Sequence, residues 1–291
     1  MNVVTTIAEC REIRKNLGYL ALVPTMGALH AGHLSLIEHA RDKADKVAVS
    51  IFVNPTQFGP REDFQSYPRP IADDLAKCEA AGVDLVFNPT PEEIYPPKGD
   101  PAEQTAAEVF IDMPNLSNVL EGRFRPTHFR GVCQVVAKLF NILYPQVACF
   151  GQKDYQQLRV LTAMVDALNF QVEIVGCPTL RDPDGLAMSS RNQYLSDAER
   201  QRALSINRGL FAAQEEYSKG FRQTNRLMTT VQKIMLEAAN QGRVPLLIDY
   251  VAAVDAMTLK NVLEIERKTL IAVAARIGPT RLIDNVLLGG D

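Results

Sequence analysis

Hydrophobic positions in the first two thirds of the chain alternate between short dense runs and helically spaced sets. The run at 20–23 is short and apolar and ends at Pro24, and that at 47–53 is rich in β-branched residues and nearly unbroken, as a strand covered on both faces requires. Runs at 83–87, 147–150 and 171–175 read as further strands. Between them, apolar residues recur at helical spacing over 34–43, 71–81, 132–143 and 154–168. Repeated strand–helix–strand units predict an α/β fold with a doubly wound parallel sheet. The segment 88–126, with prolines at 89, 91, 96, 97, 101, 114 and 126, breaks this rhythm. It reads equally as a flap near a site or as a surface insertion. After about residue 176 the pattern changes to two charged helices (196–218 and 224–241) and two strands (247–254 and 270–277). This predicts a smaller C-terminal α+β domain. The chain then divides into 1–176 and 177–291, with 178–192 as hinge or lid.

Composition narrows the setting. The chain has 291 residues, 46% hydrophobic and 22% charged, enough for a sizeable core in one large or two modest domains. A formal net charge of -3 excludes a global basic field for nucleic acid, so any anion site is local. Cys10, Cys78, Cys133, Cys149 and Cys177 form no CxxC pair and read as the reduced thiols of a cytoplasmic protein. No apolar run reaches the roughly 18 residues of a membrane span. The first residues lack a signal-peptide core. A soluble cytoplasmic protein without membrane or nucleic-acid partners is expected.

The chemistry concentrates where predicted strands hand over to helices. Met26, Gly27, Ala28, Leu29, His30, Ala31, Gly32 and His33 follow the first strand and open the first helix. Open parallel sheets bind ligands at such carboxyl ends. Glycine lets backbone approach closely, and a helix N-terminus offers N–H groups to an anion. His30 and His33, three apart, face one side and could grip a triphosphate. A zinc site there lacks a third ligand at metal spacing. His39, six residues on, reads as structural or surface. Gly151, Gln152, Lys153 and Asp154 stand at a second strand-to-helix junction, with Gln157 one turn further. Lys153 could neutralise a phosphate, and Asp154 could accept from ribose hydroxyls. Met188, Ser189, Ser190 and Arg191 form a compact donor set for phosphate oxygens. Gln57, beside Phe58 after the 47–53 run, suits a small polar substrate. Asp73 and Asp74 read either as Mg²⁺ ligands or as solvated helix carboxylates.

Together, PTMGALHAGH, SIFVNPTQF, RPTHFRGV, GQKDYQQL and DGLAMSSRNQYL resemble the pantoate–β-alanine ligase family, a branch of the HxGH nucleotidyltransferase superfamily. The likeness runs through nearly the whole chain, to RLIDN near its end. It implies a Rossmann-like nucleotide- and pantoate-binding domain, a C-terminal lid, ATP and Mg²⁺, and a homodimer. It also implies a two-step reaction in which (R)-pantoate and ATP give pantoyl adenylate and pyrophosphate, and the amine of β-alanine then displaces AMP. The alternative within the superfamily is adenylation of a phosphate substrate. By position, His33 matches the family's proton donor, with His30 beside it on the triphosphate and Lys153 and Arg191 supplying positive charge. Residues 26–33, 151–154 and 188–191, with Leu180 near the adenine, match its ATP site. Gln57 and Gln157 match its pantoate-binding glutamines, and Arg125 and Tyr67 fall near the substrates. Gln152 replaces a frequent Glu. Ala187 and Ser190 stand where a tRNA-synthetase signature carries lysines, which argues against that class.

Overall fold

The computed structural model describes residues 1–60, 62–95, 109–240 and 244–290. These form two compact units. Taking only described residues, the first comprises Met1–Asn118, Gly122–Gln152 and Gln157–Pro178, and the second Val119–Glu121, Lys153–Gln156 and Thr179–Asp291.

The first unit is built on β1 (Asn2–Val4), α1 (Ile7–Arg14), β2 (Leu20–Thr25), α2 (Ala31–Arg41), β3 (Lys46–Ile51), α3 (Ile71–Ala80) and β4 (Leu85–Phe87). The short helices α4 (Pro91–Ile94), α5 (Pro114–Ser117) and α6 (Glu121–Phe124) lead to α7 (His128–Leu143), β5 (Val147–Gly151), α8 (Tyr155–Leu168) and β6 (Glu173–Cys177). The six strands form one parallel sheet in the order β1-β4-β3-β2-β5-β6. The dense apolar runs are its central strands: Leu20, Ala21, Leu22 and Val23 are fully buried, as are Ala48 and Val49. The flap or insertion expected over 88–126 lies partly outside the described residues.

The order of strands decides where a ligand can enter. From β2 the chain proceeds outward through β3 and β4, then returns to the other side of β2 as β5. Connections therefore leave β2 and β5 in opposite directions, although the two strands pair directly through Ala21–Val147 and Leu22–Ala148. Their carboxyl ends flank the crevice that such a reversal opens in a doubly wound sheet. The HxGH segment follows β2, and Gly151 ends β5.

The second unit contains α9 (Asp197–Ser218), α10 (Thr224–Ala239), and an antiparallel sheet of β7 (Leu246–Asp255), β8 (Thr269–Ile277) and β9 (Thr280–Leu288) in that order. The two helices cover the sheet through Leu204, Leu210, Leu227, Val231, Ile271 and Val273. A reciprocal box starts α9: Ser196 Oγ accepts the Glu199 N–H, and the Glu199 carboxylate accepts the Ser196 N–H at 2.8 Å. Such caps contribute about 0.5–2 kcal/mol. Two strands were expected in this unit, and β9 is a third.

The five cysteines are free and buried. Burial pushes the Cys10 and Cys133 thiols up to about 12 and Cys78 to about 11, so these three are neutral at pH 7. Among the described residues, no helix is long and apolar enough to cross a membrane.

Candidate functional site

The loop after β2 adopts a backbone that ordinary residues avoid. Gly27 has φ of +82° and Ala28 of +51°, so two successive residues are left-handed. What holds them there is Asp74, in the first turn of α3. Its two carboxylate oxygens accept the N–H groups of Ala28 at 2.8 Å and Leu29 at 2.7 Å. Asp74 is 1% exposed. One turn on, Lys77 Nζ donates to the Leu29 carbonyl at 2.7 Å and to Asp73 at 2.6 Å. A Cβ on Gly27 would meet Asp74 Oδ2 at 2.9 Å and Ile51 Cγ2 at 3.1 Å. Gly27→Ala is therefore expected to lower stability by about 1–3 kcal/mol, because it adds a clash to a left-handed φ. A urea midpoint equal to that of the parent protein would contradict this.

These contacts also answer the question of Mg²⁺ at Asp73 and Asp74. Consecutive helix positions diverge by about 100°. Asp73 pairs with Lys77, and both oxygens of Asp74 hold backbone. The two carboxylates do not fit a shared Mg²⁺ site, and Asp74 is a clamp on the glycine loop. Among the described residues, no group of three or more His, Cys, Asp or Glu could hold a metal ion.

The histidines cap α2 in an unusual way. His30 is the N-cap, with extended backbone, and its Nδ1 accepts the Gly32 N–H at 3.1 Å. His33 sits at the third helical position, and its Nδ1 accepts the His30 N–H at 3.3 Å. This is the reciprocal box usually made by Ser/Thr with Glu/Gln. It has a chemical consequence. With Nδ1 accepting, each neutral imidazole carries its proton on Nε2. The rings lie 4.1 Å apart between centroids, tilted by 44°. The helix start therefore presents two Nε2–H donors beside its N-terminal dipole, a suitable arrangement for an anion.

Gln57 is brought to the same loop. A single 3-10 turn, Pro55–Gln57, follows β3, and Gln57 Nε2 lies 3.0 Å from Met26 Sδ. Asn54, 1% exposed, orients the amide: its Nδ2 donates to Gln57 Oε1 at 3.1 Å and to the Gly131 carbonyl at 3.0 Å. Its Oδ1 accepts from the Thr56 and Tyr95 hydroxyls. Gly131 is required here, since a Cβ would meet the Thr56 carbonyl at 2.5 Å. Arg125 is held by Glu62 in a two-point pair at 2.9 and 2.7 Å and contacts His128 Nε2 at 3.1 Å. His128 Nδ1 in turn meets the Gln57 carbonyl at 3.0 Å. Tyr67 is 5% exposed and packs edge-on against Phe58. Gln157 is half-buried in α8 and His39 half-buried in α2.

Lys153, Asp154 and the 188–191 segment belong to the second unit. Gln152 and Lys153 lie in a 3-10 turn before α8, and Lys153 Nζ is 3.6 Å from Asp154 Oδ2. Gln152, whose backbone belongs to the first unit, donates its side-chain amide to the Gly176 carbonyl at 3.3 Å. Residues 181–187 form a tight turn: Arg181 bridges Ala187, and Gly185 has φ of +91°. The Leu180 carbonyl, expected near an adenine, accepts the Met188 N–H at 3.0 Å. Ser189 caps the next 3-10 turn by accepting the Arg191 N–H at 3.3 Å. Asp74, Asn54 and His128 carry positioning roles that local sequence did not assign. Asn54 and His128 lie inside quoted motifs, whereas Asp74 lies outside them and stood only as a candidate Mg²⁺ ligand.

A doubly wound sheet with HxGH at its reversal defines a nucleotidyltransferase-type α/β protein. The family model described as Pantoate-beta-alanine ligase matches residues 2–287. The chain is 48% identical to the pantothenate synthetase of Thermotoga petrophila over 293 residues, covering 99% of this chain and 100% of that protein. The crystal structure of the Thermus thermophilus pantothenate synthetase superposes with a TM-score of 0.90 at 42% identity, covering 98% of this chain and 99% of that one. A Francisella tularensis pantoate–β-alanine ligase, solved with β-γ ATP and β-alanine, gives 0.76 at 32% identity, with 99% and 97% covered. The chain belongs to the pantoate–β-alanine ligase family.

Proposed function

We infer that this chain condenses (R)-pantoate with β-alanine to form pantothenate, using ATP and releasing AMP and pyrophosphate. In the first step an oxygen of the pantoate carboxylate attacks the α-phosphorus of ATP, and the bond to pyrophosphate breaks. In the second the amine of β-alanine attacks the activated carbonyl, and AMP leaves with the bridging oxygen. Negative charge builds on phosphate oxygens, so fixed donors are the catalytic device this chemistry calls for.

The observation that carries the reading is the histidine cap: two Nε2–H donors fixed by backbone contacts at the start of α2. His30 and His33 act on the triphosphate, with Met26 to Leu29, Ala31 and Gly32 lining its approach. Gly151 to Asp154, Leu180 and Met188 to Arg191 are the remaining nucleotide-binding residues, and Lys153 and Arg191 neutralise phosphate charge. Gln57 and Gln157 bind pantoate, with Arg125 and Tyr67 near the substrates. Residues 1–176 then serve as the nucleotide- and pantoate-binding domain and 177–291 as the lid. Mg²⁺ enters with ATP, held chiefly by phosphate oxygens and water as this ion prefers. The enzyme is cytoplasmic and works as a homodimer. Adenylation of a phosphate group, the alternative within the superfamily, is not favoured, since the matched family is that of pantoate–β-alanine ligases.

Purified protein with ATP and Mg²⁺ is expected to release pyrophosphate only when pantoate is added, and to form pantothenate and AMP once β-alanine is present. Pyrophosphate release indifferent to pantoate would overturn the assignment.

A further inference from the structure

The RLIDN string forms the middle of β9 and takes no part in the reaction outlined above. Its polar residues nevertheless bind the second unit's chemistry-bearing segments to one strand. Asp284 is 4% exposed and lies in line with the apolar residues Leu282 and Val286 on the buried face. Its Oδ2 accepts from Arg181 Nη1 at 2.6 Å, and its Oδ1 accepts from Arg181 Nη2 at 2.9 Å. Asp284 Oδ1 also accepts the Asn285 N–H at 2.8 Å. The side chain of Asn285 points its Nδ2 at the Lys153 carbonyl, 2.9 Å away.

The chain of bonds continues beyond Arg181. The guanidinium donates to the Gly185 carbonyl at 3.2 Å and lies 4.9 Å from the Phe211 ring centre. The Arg181–Ala187 bridge and the Met188 N–H to Leu180 bond carry the register into the segment that ends in Arg191. Arg200 steadies the same turn through Asp182 at 2.7 Å and Asp184 at 2.9 Å. One route therefore links the backbone of Lys153 to the base of the Ser-Ser-Arg segment, through two adjacent residues of one strand.

A buried ion pair is a poor choice if stability is the aim, because desolvation offsets most of the attraction and an apolar residue would fill the place as well. It is a good choice for fixing one geometry, since Arg181 and Asp284 match at two points. We propose that Asp284 and Asn285 are positioning residues that set the spacing between the Lys153 turn and the 188–191 segment, so that Lys153 and Arg191 meet the nucleotide as a preset pair. This rests on the nucleotide-binding roles given to those segments above.

The test is a comparison of substrate dependences in the intact protein. Asn285→Ala removes the bond to the Lys153 carbonyl and is expected to raise KM for ATP about three- to tenfold, the change that one hydrogen bond converts to. KM for β-alanine stays where it is. ATP affinity measured by calorimetry, without pantoate, falls by the same factor. Arg181→Lys keeps the charge but loses the planar fork, and its ATP dependence shifts in the same direction. A role in stability alone would instead lower the unfolding midpoint and leave the ATP KM of the folded fraction unchanged, and that result would overturn the proposal. So would equal losses for every substrate. If the parent protein binds ATP but releases no pyrophosphate with pantoate, the ligase reading fails while the calorimetric comparison still decides the positioning role of Asp284 and Asn285. If it does not bind ATP at all, both fall.

Discussion

Replacing His33 with alanine is expected to lower pantoate-dependent pyrophosphate release by about a hundredfold or more, the usual worth of one preorganised donor to developing charge. The loss belongs in turnover. In the proposed reaction the Nε2–H of His33 faces charge that grows along the reaction, so its removal is expected to cost the transition state more than bound ATP. Two roles are combined in this side chain, and a second variant separates them. In the structure His33 Nδ1 also closes the cap on the His30 N–H. Glutamine at the third helical position can restore that cap. His33→Gln is therefore expected to recover the parent's thermal midpoint and only part of its rate. A His33→Ala protein that turns over like its parent would remove this residue from the chemistry.

The second large effect is expected at Asp74, a residue that touches none of the substrates in this reading. Asp74→Ala strands the N–H groups of Ala28 and Leu29 in a buried place, at about 1–3 kcal/mol each. Stability should fall accordingly in denaturant titrations. Ala28, at φ of +51°, has no other clamp described to hold it there, so ATP binding should weaken as well. Asp74→Asn is the milder case: one amide oxygen still accepts, while its NH₂ group faces an N–H. Its losses should fall between those of the parent and the alanine variant. If Asp74→Asn proved the more damaging of the two, the carboxylate would have a role other than accepting backbone.

Much of the first unit was legible because its central strands are covered on both faces and so read as unbroken apolar runs. Leu20 to Val23 is the clearest instance. The edges were harder. β1 has three residues, two of them exposed, too few for a pattern. α1 announces itself only through its cap, Thr6 with Glu9. α2 starts at Ala31, three residues ahead of its first large apolar position, because a histidine performs the capping that serine or aspartate usually signals. β9 is hidden by a charge on its buried face. Its buried face runs Leu282, Asp284, Val286 and Leu288, so a carboxylate interrupts the alternation at the point where Arg181 must be held. Motifs placed the candidate residues by chain position, whereas Asp74 reaches Ala28 across 46 residues and could not be read from spacing.

The second unit borrows Val119–Glu121 and Lys153–Gln156 from earlier in the chain, and this bears on how it can fold. Arg281 donates to both oxygens of Glu121, 160 residues away, and to Asp249 at 2.7 Å, with Asp249 placed by an irregularity between Ile248 and Tyr250 in β7. The Tyr250 hydroxyl donates to Glu121 at 2.8 Å, and burial, then the Glu121 charge, pushes that phenol up. Burial alone would lower the Arg281 pKa, yet Glu121 and Asp249 hold it above its ordinary value. During synthesis Glu121 emerges long before Arg281, and must wait for β9 to find its partner. The loop that closes is long, and its entropy cost precedes the gain from the pair. The C-terminal segment released on its own would bury Arg281 without Glu121, and would therefore be a poor independent folding unit. β9 thus supplies the partner that a segment far upstream requires.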